Sequence, residues 1–261
     1  MHTLASRPDD ARSVILHLFG GPYVTVDRCR IPLPEGSKRL LVFVALHNGR
    51  VDRRYAAGTL WPIGDDVRAA GNLRSAIWRL RRSRVPLMST DRFSLWLRDE
   101  VVVDLDVVDR WAGRLIDGSA SAADLAIKPW GIDALDLLPG WYEDWALLER
   151  ERVRQRILHA LEALSVALVR GGRCGEAVDA AMLAVCSEPL RESAQRALIG
   201  AHIADGNWIE GKRRFEAYRR LLHREIGLEP HPSLADLLRK AIRFERALEG
   251  PSATERKLPA R

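Results

Sequence analysis

The stretch RAAGNLRSAIWRLRRSR, from Arg68 to Arg84, carries six arginines and no acidic residue. Between the arginines stand Leu73, Ala76, Ile77 and Leu80, apolar residues at helical spacing. Projected at about 100° per residue, Ala69, Ala70, Ala76, Ile77 and Leu80 fall on the side of Leu73. Arg68, Asn72, Ser75, Arg79 and Arg82 fall on the other side, with Arg74 and Trp78 flanking them. The chemistry open to such a face is recognition of a polyanion. A guanidinium is a planar fork of donors that grips phosphate oxygens, or pairs with N7 and O6 of guanine together, and an asparagine can pair with adenine. A helix with one dry face and one such wet face suits the major groove of DNA.

The elements around that helix must hold it outward. Before it, SVILHLFGGPYVTVDRCRIPL alternates with period two about a Gly20-Gly21-Pro22 break, which predicts a β-meander. In SKRLLVFVALHNGR, Ser37 is expected to cap a helix with Leu40, Leu41, Val44 and Leu46 inward, and Asn48-Gly49 to end it. Asp52 is expected to cap a short second helix, RRYAAGTLW, stopped by Pro62 and Gly64. Asp65-Asp66 then open the arginine helix, where acids suit the positive end of the helix dipole. PLMST and FSLWL bracket the turn Thr90-Asp91-Arg92 as a hairpin, and VVVDLD is a further strand. Strands, three helices and a hairpin, in that order, make a winged helix-turn-helix whose third helix enters the major groove.

The second half of the chain has a different pattern. VVDRWAGRLIDG reads as a short helix with Val107, Trp111 and Leu115 apolar, and residues 119–141 read as a linker or loose helix. A long helix follows, with Trp145, Leu148, Val153, Ile157, Leu161, Leu164 and Leu168 at helical spacing, ended by Gly171-Gly172. Gly172-Arg-Cys-Gly-Glu176 matches Gly206-Asn-Trp-Ile-Glu210 at an offset of 34 residues, the tetratricopeptide period. Each match opens the second helix of a pair, so the pairs are 145–170 with 173–186 and 191–204 with 208–223. A last helix, SLADLLRKAIRFERAL, covers the stack. The fold class expected is therefore two domains: an N-terminal α+β winged helix-turn-helix over 13–104 and an all-α tetratricopeptide-like repeat domain over 105–249. Residues 1–12 are expected to be a flexible tail and 250–261 a disordered one.

Charge divides in the same way. Residues 1–100 hold 17 Lys and Arg against 10 Asp and Glu, a net +7, while the rest holds 24 against 25. One-sided basicity is the footprint of a polyanion partner. Arginine outnumbers lysine 36 to 5, a bias that base composition of the genome can produce, so it is not counted toward recognition. No run of roughly 18 apolar residues predicts a membrane span, and the opening residues lack the apolar middle of a secretory signal. Cys29, Cys174 and Cys186 are scattered and odd in number, which reads as free thiols in a reducing cytoplasm. No histidine cluster joins them, so no metal site is expected. Phosphate-loop, nucleophile-elbow and zincin motifs are all absent, and no catalytic residue or cofactor is expected.

Both halves also carry a resemblance. LHNGRVDRRYAAGTLWP with GNLRSAIWRLRR resembles the winged helix of the Streptomyces antibiotic regulatory protein family, which is similar to OmpR-type winged helices. LLPGWYEDWALLERERVRQRILHALEAL and EPLRESAQRALIGAHIADGNWIEGKRRFEAYRRLLHREIGLEPHP resemble the bacterial transcriptional activator domain that follows it. The resemblance implies a cytoplasmic actinobacterial transcription regulator of secondary metabolism, an activator that binds tandem repeats in double-stranded DNA, commonly as a homodimer, and recruits RNA polymerase holoenzyme. It implies that Arg74, Ser75, Trp78 and Arg79 occupy positions from which the third helix reaches DNA. Asn72 either reads adenine or bonds phosphate, and Trp78 either packs on the wing or presses on a sugar or thymine methyl. Arg68, with Arg53 and Arg54 at the start of the second helix, is placed to hold phosphate. Arg92 at the wing tip either enters a minor groove or sits in a solvated turn. Arg81, nearer the apolar stripe, is expected in a structural ion pair, and Trp61, Trp96, Trp141 and Trp145 in the core. Gly58 inside the second helix, Val108 where the family has an aromatic, and Gly211 in place of alanine depart from the pattern. The rival reading is a helical-repeat adaptor whose winged helix is a protein-interaction module that does not bind DNA tightly.

Overall fold

The computed structural model describes residues 13–83, 85–126 and 136–248. The expected tails at 1–12 and 250–261, and much of the expected linker, lie outside the described residues. The described residues form two compact units: those up to Trp111 together with 136–155, and those of 112–126 together with 156–248.

The first unit opens with β1 (Val14–His17), β2 (Tyr23–Val26) and β3 (Cys29–Ile31). It continues with α1 (Glu35–Leu46), β4 (Val51–Asp52), α2 (Arg53–Leu60) and α3 (Asp66–Arg81). Then come β5 (Met88–Thr90), β6 (Ser94–Leu97), β7 (Val101–Val103) and α4 (Asp104–Ile116). The meander is present: β1 pairs antiparallel with β2, and β2 with β3. The strand VVVDLD is shorter than its sequence suggests. Only Val101–Val103 is extended, and it pairs in parallel with β1, Val14 opposite Val101. Asp104 ends it by turning the chain into α4. Its carboxylate accepts from the backbone N–H of Leu105 at 2.7 Å and of Leu18 at 2.9 Å. The second sheet, in the order β4-β6-β5, is the wing joined to the strand that precedes α2.

Leu40 to Ala45 are buried on every side of α1, so α1 is the central helix of this unit. Ser37 does not cap it. The helix begins at Glu35, after Pro34, whose ring fixes φ and whose missing N–H costs nothing at a helix start, where no intrahelical acceptor exists for it. Ser37 is instead fully buried inside α1, and its hydroxyl donates to the carbonyl of Ala76 in α3 at 3.0 Å. Asp52 and Asp65 do cap: Asp52 accepts from Arg54 and Tyr55 N–H, and Asp65 from Arg68 N–H at 2.7 Å. In α4 the apolar face is Leu105, Val108, Trp111, Ala112 and Leu115. Val107, expected on it, is exposed, because successive steps of four drift about 40° around a helix of 3.6 residues per turn.

The second unit contains the later part of α5 (Asp144–Arg170), then α6 (Cys174–Ser187), α7 (Glu192–Ala204), α8 (Trp208–Ile226) and α9 (Pro232–Leu248). The two matched glycines close their helices identically. Gly172 and Gly206 have φ of 72° and 77°. Each donates its N–H to the carbonyl three residues back, and the next residue donates to the carbonyl five back. That left-handed closure strongly favours glycine, which is why the repeat is visible in sequence. Ala177, Ala180, Ala181 and Ala184 form a fully buried small-residue seam on α6. Leu198 and Ile199 of α7 are fully buried too, and Ile199 packs with Tyr218, Leu222, Leu234 and Leu238 in one apolar cluster. Among the described residues no helix is long and apolar enough to cross a membrane.

Candidate nucleic-acid interface

Helix α3 divides as its sequence predicts. Ala69, Leu73, Ala76, Ile77 and Leu80 are buried. Arg68, Arg74, Ser75, Trp78, Arg79 and Arg82 are exposed, and Asn72 is half-buried on the same side. None of the arginines of α3 has a carboxylate within ion-pairing distance among the described residues. The repeat unit contrasts with this. There Arg213 pairs with Glu210 at 2.5 Å and Arg191 with Glu162 at 2.5 Å, and Arg173 and Arg239 are engaged by Glu176 and Asp236 three residues away. A carboxylate beside a guanidinium satisfies the donors that a phosphate or guanine would need. The α3 face keeps its donors open.

Several predicted site residues are held in specific ways. Trp78 is 58% exposed and is not buried under the wing. The Arg82 guanidinium lies over its ring at 4.7 Å, and both line a hollow with Ile31, Pro32, Leu33 and Pro34. Arg79 borders the same hollow and reaches α1: a Cβ on Gly36 would lie 2.6 Å from its Nη1. Arg81 makes no ion pair of the kind expected. Its Nη2 donates to the Thr90 hydroxyl at 2.8 Å, tying the end of α3 to the first wing strand. Arg53 also touches the wing, its backbone N–H donating to Phe93 O at 2.8 Å and its Nη1 to Asp91 O at 3.3 Å. Arg54, one residue on, is exposed. Arg92 lies at the wing tip with its guanidinium 5.4 Å from the exposed Phe93 ring.

Asp91, which the sequence places in the turn, and Arg50, to which it assigns no role, fix the wing. Asp91 accepts from the N–H groups of Phe93 and Ser94 at 2.8 and 2.6 Å, forming the turn. Those two N–H groups, with Arg50 beside them, hold its carboxyl below the usual carboxylate range. Arg50 donates to Asp91 at 2.8 Å, and its guanidinium carbon lies over Trp96, 4.0 Å from the ring centroid. The Thr-Asp-Arg turn signal was enough to find Asp91. Arg50 had no local signal, since its partners are more than 40 residues away. The four tryptophans expected in the core, Trp61, Trp96, Trp141 and Trp145, are half-buried. Rings as large as indole rarely fit wholly inside, although Trp111 does.

Among the described residues no group of three His, Cys, Asp or Glu side chains is placed to hold a metal. The three cysteines are free, Cys29 and Cys186 exposed and Cys174 half-buried.

Comparison with known proteins agrees with this architecture. The family model of the bacterial transcriptional activator domain matches residues 109–243. The regulatory protein AfsR of Streptomyces griseus is 30% identical over 123 residues, which are 47% of this chain and 12% of AfsR. Mycobacterium tuberculosis EmbR, solved in complex with a low-affinity phosphopeptide, has the same fold, with a TM-score of 0.67 at 16% identity over 89% of this chain and 66% of its own. The chain thus spans about an eighth of the length of AfsR and about two thirds of EmbR. With the family model covering more than half of it behind a winged helix, the chain belongs to the bacterial transcriptional activator domain family.

Proposed function

We propose that this chain is a sequence-specific, DNA-binding transcription regulator of the cytoplasm. It is an activator that occupies tandem repeats upstream of promoters as a homodimer and recruits RNA polymerase holoenzyme. The observation that carries the reading is the wet face of α3, with Arg68, Arg74, Arg79 and Arg82 exposed beside Ser75 and without a carboxylate partner among the described residues. In this reading Arg74 and Arg79 meet base edges, and Asn72, Ser75 and Trp78 lie along the groove floor or wall. Arg68, Arg54, Arg53 and Arg82 neutralise phosphate, and Arg92 carries the wing toward the adjacent groove. The tandem sites, the dimer and the polymerase contact follow from the family resemblance.

The test is to recover bound fragments from genomic DNA with the full chain, then to titrate one recovered duplex and its scrambled counterpart across a salt series. Preference for the recovered duplex, with affinity falling steeply as salt rises, is expected. Binding without preference for sequence, or none at physiological salt, would leave the winged helix as a protein-interaction module.

A further inference from the structure

The repeat unit holds a groove that DNA recognition does not use. Its volume is about 1060 Å³, just above the roughly 300–1,000 Å³ typical of small-molecule sites. It lies wholly within the second unit, walled by the end of α4 and the segment after it, by α5 and by α7, with Leu237 of α9. Three features of its lining point to one kind of occupant. The facing walls are small and apolar: Ala163 and Ala167 on α5, Ala197, Gly200 and Ala201 on α7. A Cβ on Gly200 would meet nothing within 4 Å. Secondly, Ser165 in the α5 wall is only 1% exposed, yet its hydroxyl has no hydrogen-bond partner among the described residues. A buried hydroxyl is normally paired.

The third feature is charge. The acids along the groove are already engaged. Glu162 is taken by Arg191 at 2.5 Å and by the Ser193 hydroxyl at 2.7 Å, and Asp117 by the N–H and hydroxyl of Ser119 at 2.9 and 2.6 Å. Of the two arginines along the groove, one is held and one is open. Arg196 gives its Nη2 to Ser233 and Glu192, and Arg170, exposed at the end of α5, makes no ion pair among the described residues.

We propose that this groove binds a small organic acid with an apolar ring or chain as its body and a single anionic end. The body lies along the alanine and glycine walls, with Val166 and Val169 beside them. The anionic end meets Arg170 and Arg196, and the Ser165 hydroxyl pairs with a polar atom of the body. The assignment does not depend on DNA recognition, since every residue it uses belongs to the repeat unit.

The test is fluorescence titration of the full chain with 8-anilinonaphthalene-1-sulfonate and with its uncharged counterpart N-phenyl-1-naphthylamine, followed by competition with decanoate. Saturable single-site binding of the sulfonate, displaced by decanoate, is expected. Arg170→Ala should weaken the sulfonate about tenfold, roughly the loss of one charge-assisted contact, and leave the uncharged probe unaffected. Gly200→Leu should weaken both probes at least about tenfold with circular dichroism and melting unchanged. If that variant does not fold, Ala163→Leu on the α5 wall replaces it. Undiminished binding of both probes to a folded groove-filling variant overturns the proposal, as does a sulfonate affinity indifferent to Arg170→Ala. Displacement by a neutral peptide but not by decanoate overturns it in favour of a peptide groove.

Discussion

At the scale of single residues, the arginines of α3 should not behave alike. Arg74 is exposed on the outward face of α3. Arg74→Ala should cost about 1–3 kcal/mol on the cognate duplex and relax preference at one base pair. Arg79→Ala should do the same, and Gly36→Ala should mimic it in part, because a methyl group there would displace the Arg79 guanidinium. Arg68→Ala should weaken cognate and random DNA alike and lower the salt slope by about one unit. Titrations on both duplexes, with melting curves as a control for folding, decide among these. Intact cognate preference in folded Arg74→Ala and Arg79→Ala proteins would transfer the reading role to the wing at Arg92. Asp104 offers a second test at this scale. Burial dominates the N–H groups of Leu18, Phe19 and Leu105 and pushes its carboxyl up to about 6. A carboxyl raised above its unfolded value of about 3.9 adds stability below that pH and loses it as pH climbs through 6, about 3 kcal/mol over two units. His17, 3.7 Å away, is lowered by burial and Arg30, so its contribution has the opposite sign, present above its unfolded value and lost in acid. The unfolding free energy of the native protein, relative to Asp104→Asn, should therefore fall from pH 4 to 7. Parallel curves for the two proteins would show that Asp104 ionises in the fold as it does in the unfolded chain.

At the scale of elements, α2 gives two substitutions of opposite sign. Its cap is Asp52, which accepts from two backbone N–H groups, so Asp52→Ala should cost about 1 kcal/mol. Gly58 lies inside the same helix with open space where a Cβ would stand, so Gly58→Ala should add about 0.5–1 kcal/mol. Urea unfolding with unchanged m-values is the measurement, and a destabilised Gly58→Ala would mean that α2 needs its flexibility. The caps also show which parts of the fold were legible. Asp52, Asp65, Gly172 and Gly206 act within a few residues of their own position, so type and spacing sufficed. Ser37 had the right residue type, but Pro34 starts the helix earlier and the hydroxyl is spent on α3, 39 residues away. The apolar period of α3 placed the whole candidate reading face, because a helix face is a local property. The fastening of that face is not local. Arg81 to Thr90, Arg50 to Asp91 and Trp96, and the parallel pairing of β7 with β1 each join residues that no periodicity links. In the opening turn of α5, Leu148 follows the apolar spacing yet is exposed.

At the scale of the molecule, sequence places a boundary at 104/105, while the first unit draws on residues well beyond it. Leu137 bridges to Phe19, and the Leu138 N–H donates to Leu18 O at 3.0 Å. Both leucines are almost fully buried. Arg150 holds that turn through the carbonyls of Leu137, Leu138 and Trp141 at 2.5 to 3.0 Å. Phe43 of the central helix packs edge-on against Trp145 at 5.4 Å, and Arg39 pairs with Glu143 at 2.9 Å. A chain cut after residue 104 keeps every residue of α3 and the wing but loses these partners and all of α4 past its first residue. Fully burying a leucine stabilises by about 1.5–3 kcal/mol, so the loss of Leu137, Leu138, Val108 and Trp111 together rivals the roughly 5–15 kcal/mol stability of a whole domain. Residues 13–104 should therefore be marginally folded and bind the cognate duplex weakly, and residues 13–155 should fold cooperatively and bind with the same base preference as the full chain. The full chain should bind more tightly still on tandem sites, where pairing of two copies raises effective concentration without new base contacts. Circular-dichroism melts of the two fragments, with band-shift titrations of both and of the full chain on one-repeat and two-repeat duplexes, separate these effects. A 13–104 fragment as stable as 13–155 would show that residues 136–155 only decorate the winged helix. Equal affinity of 13–155 and the full chain on two repeats would remove the repeat unit from assembly on DNA.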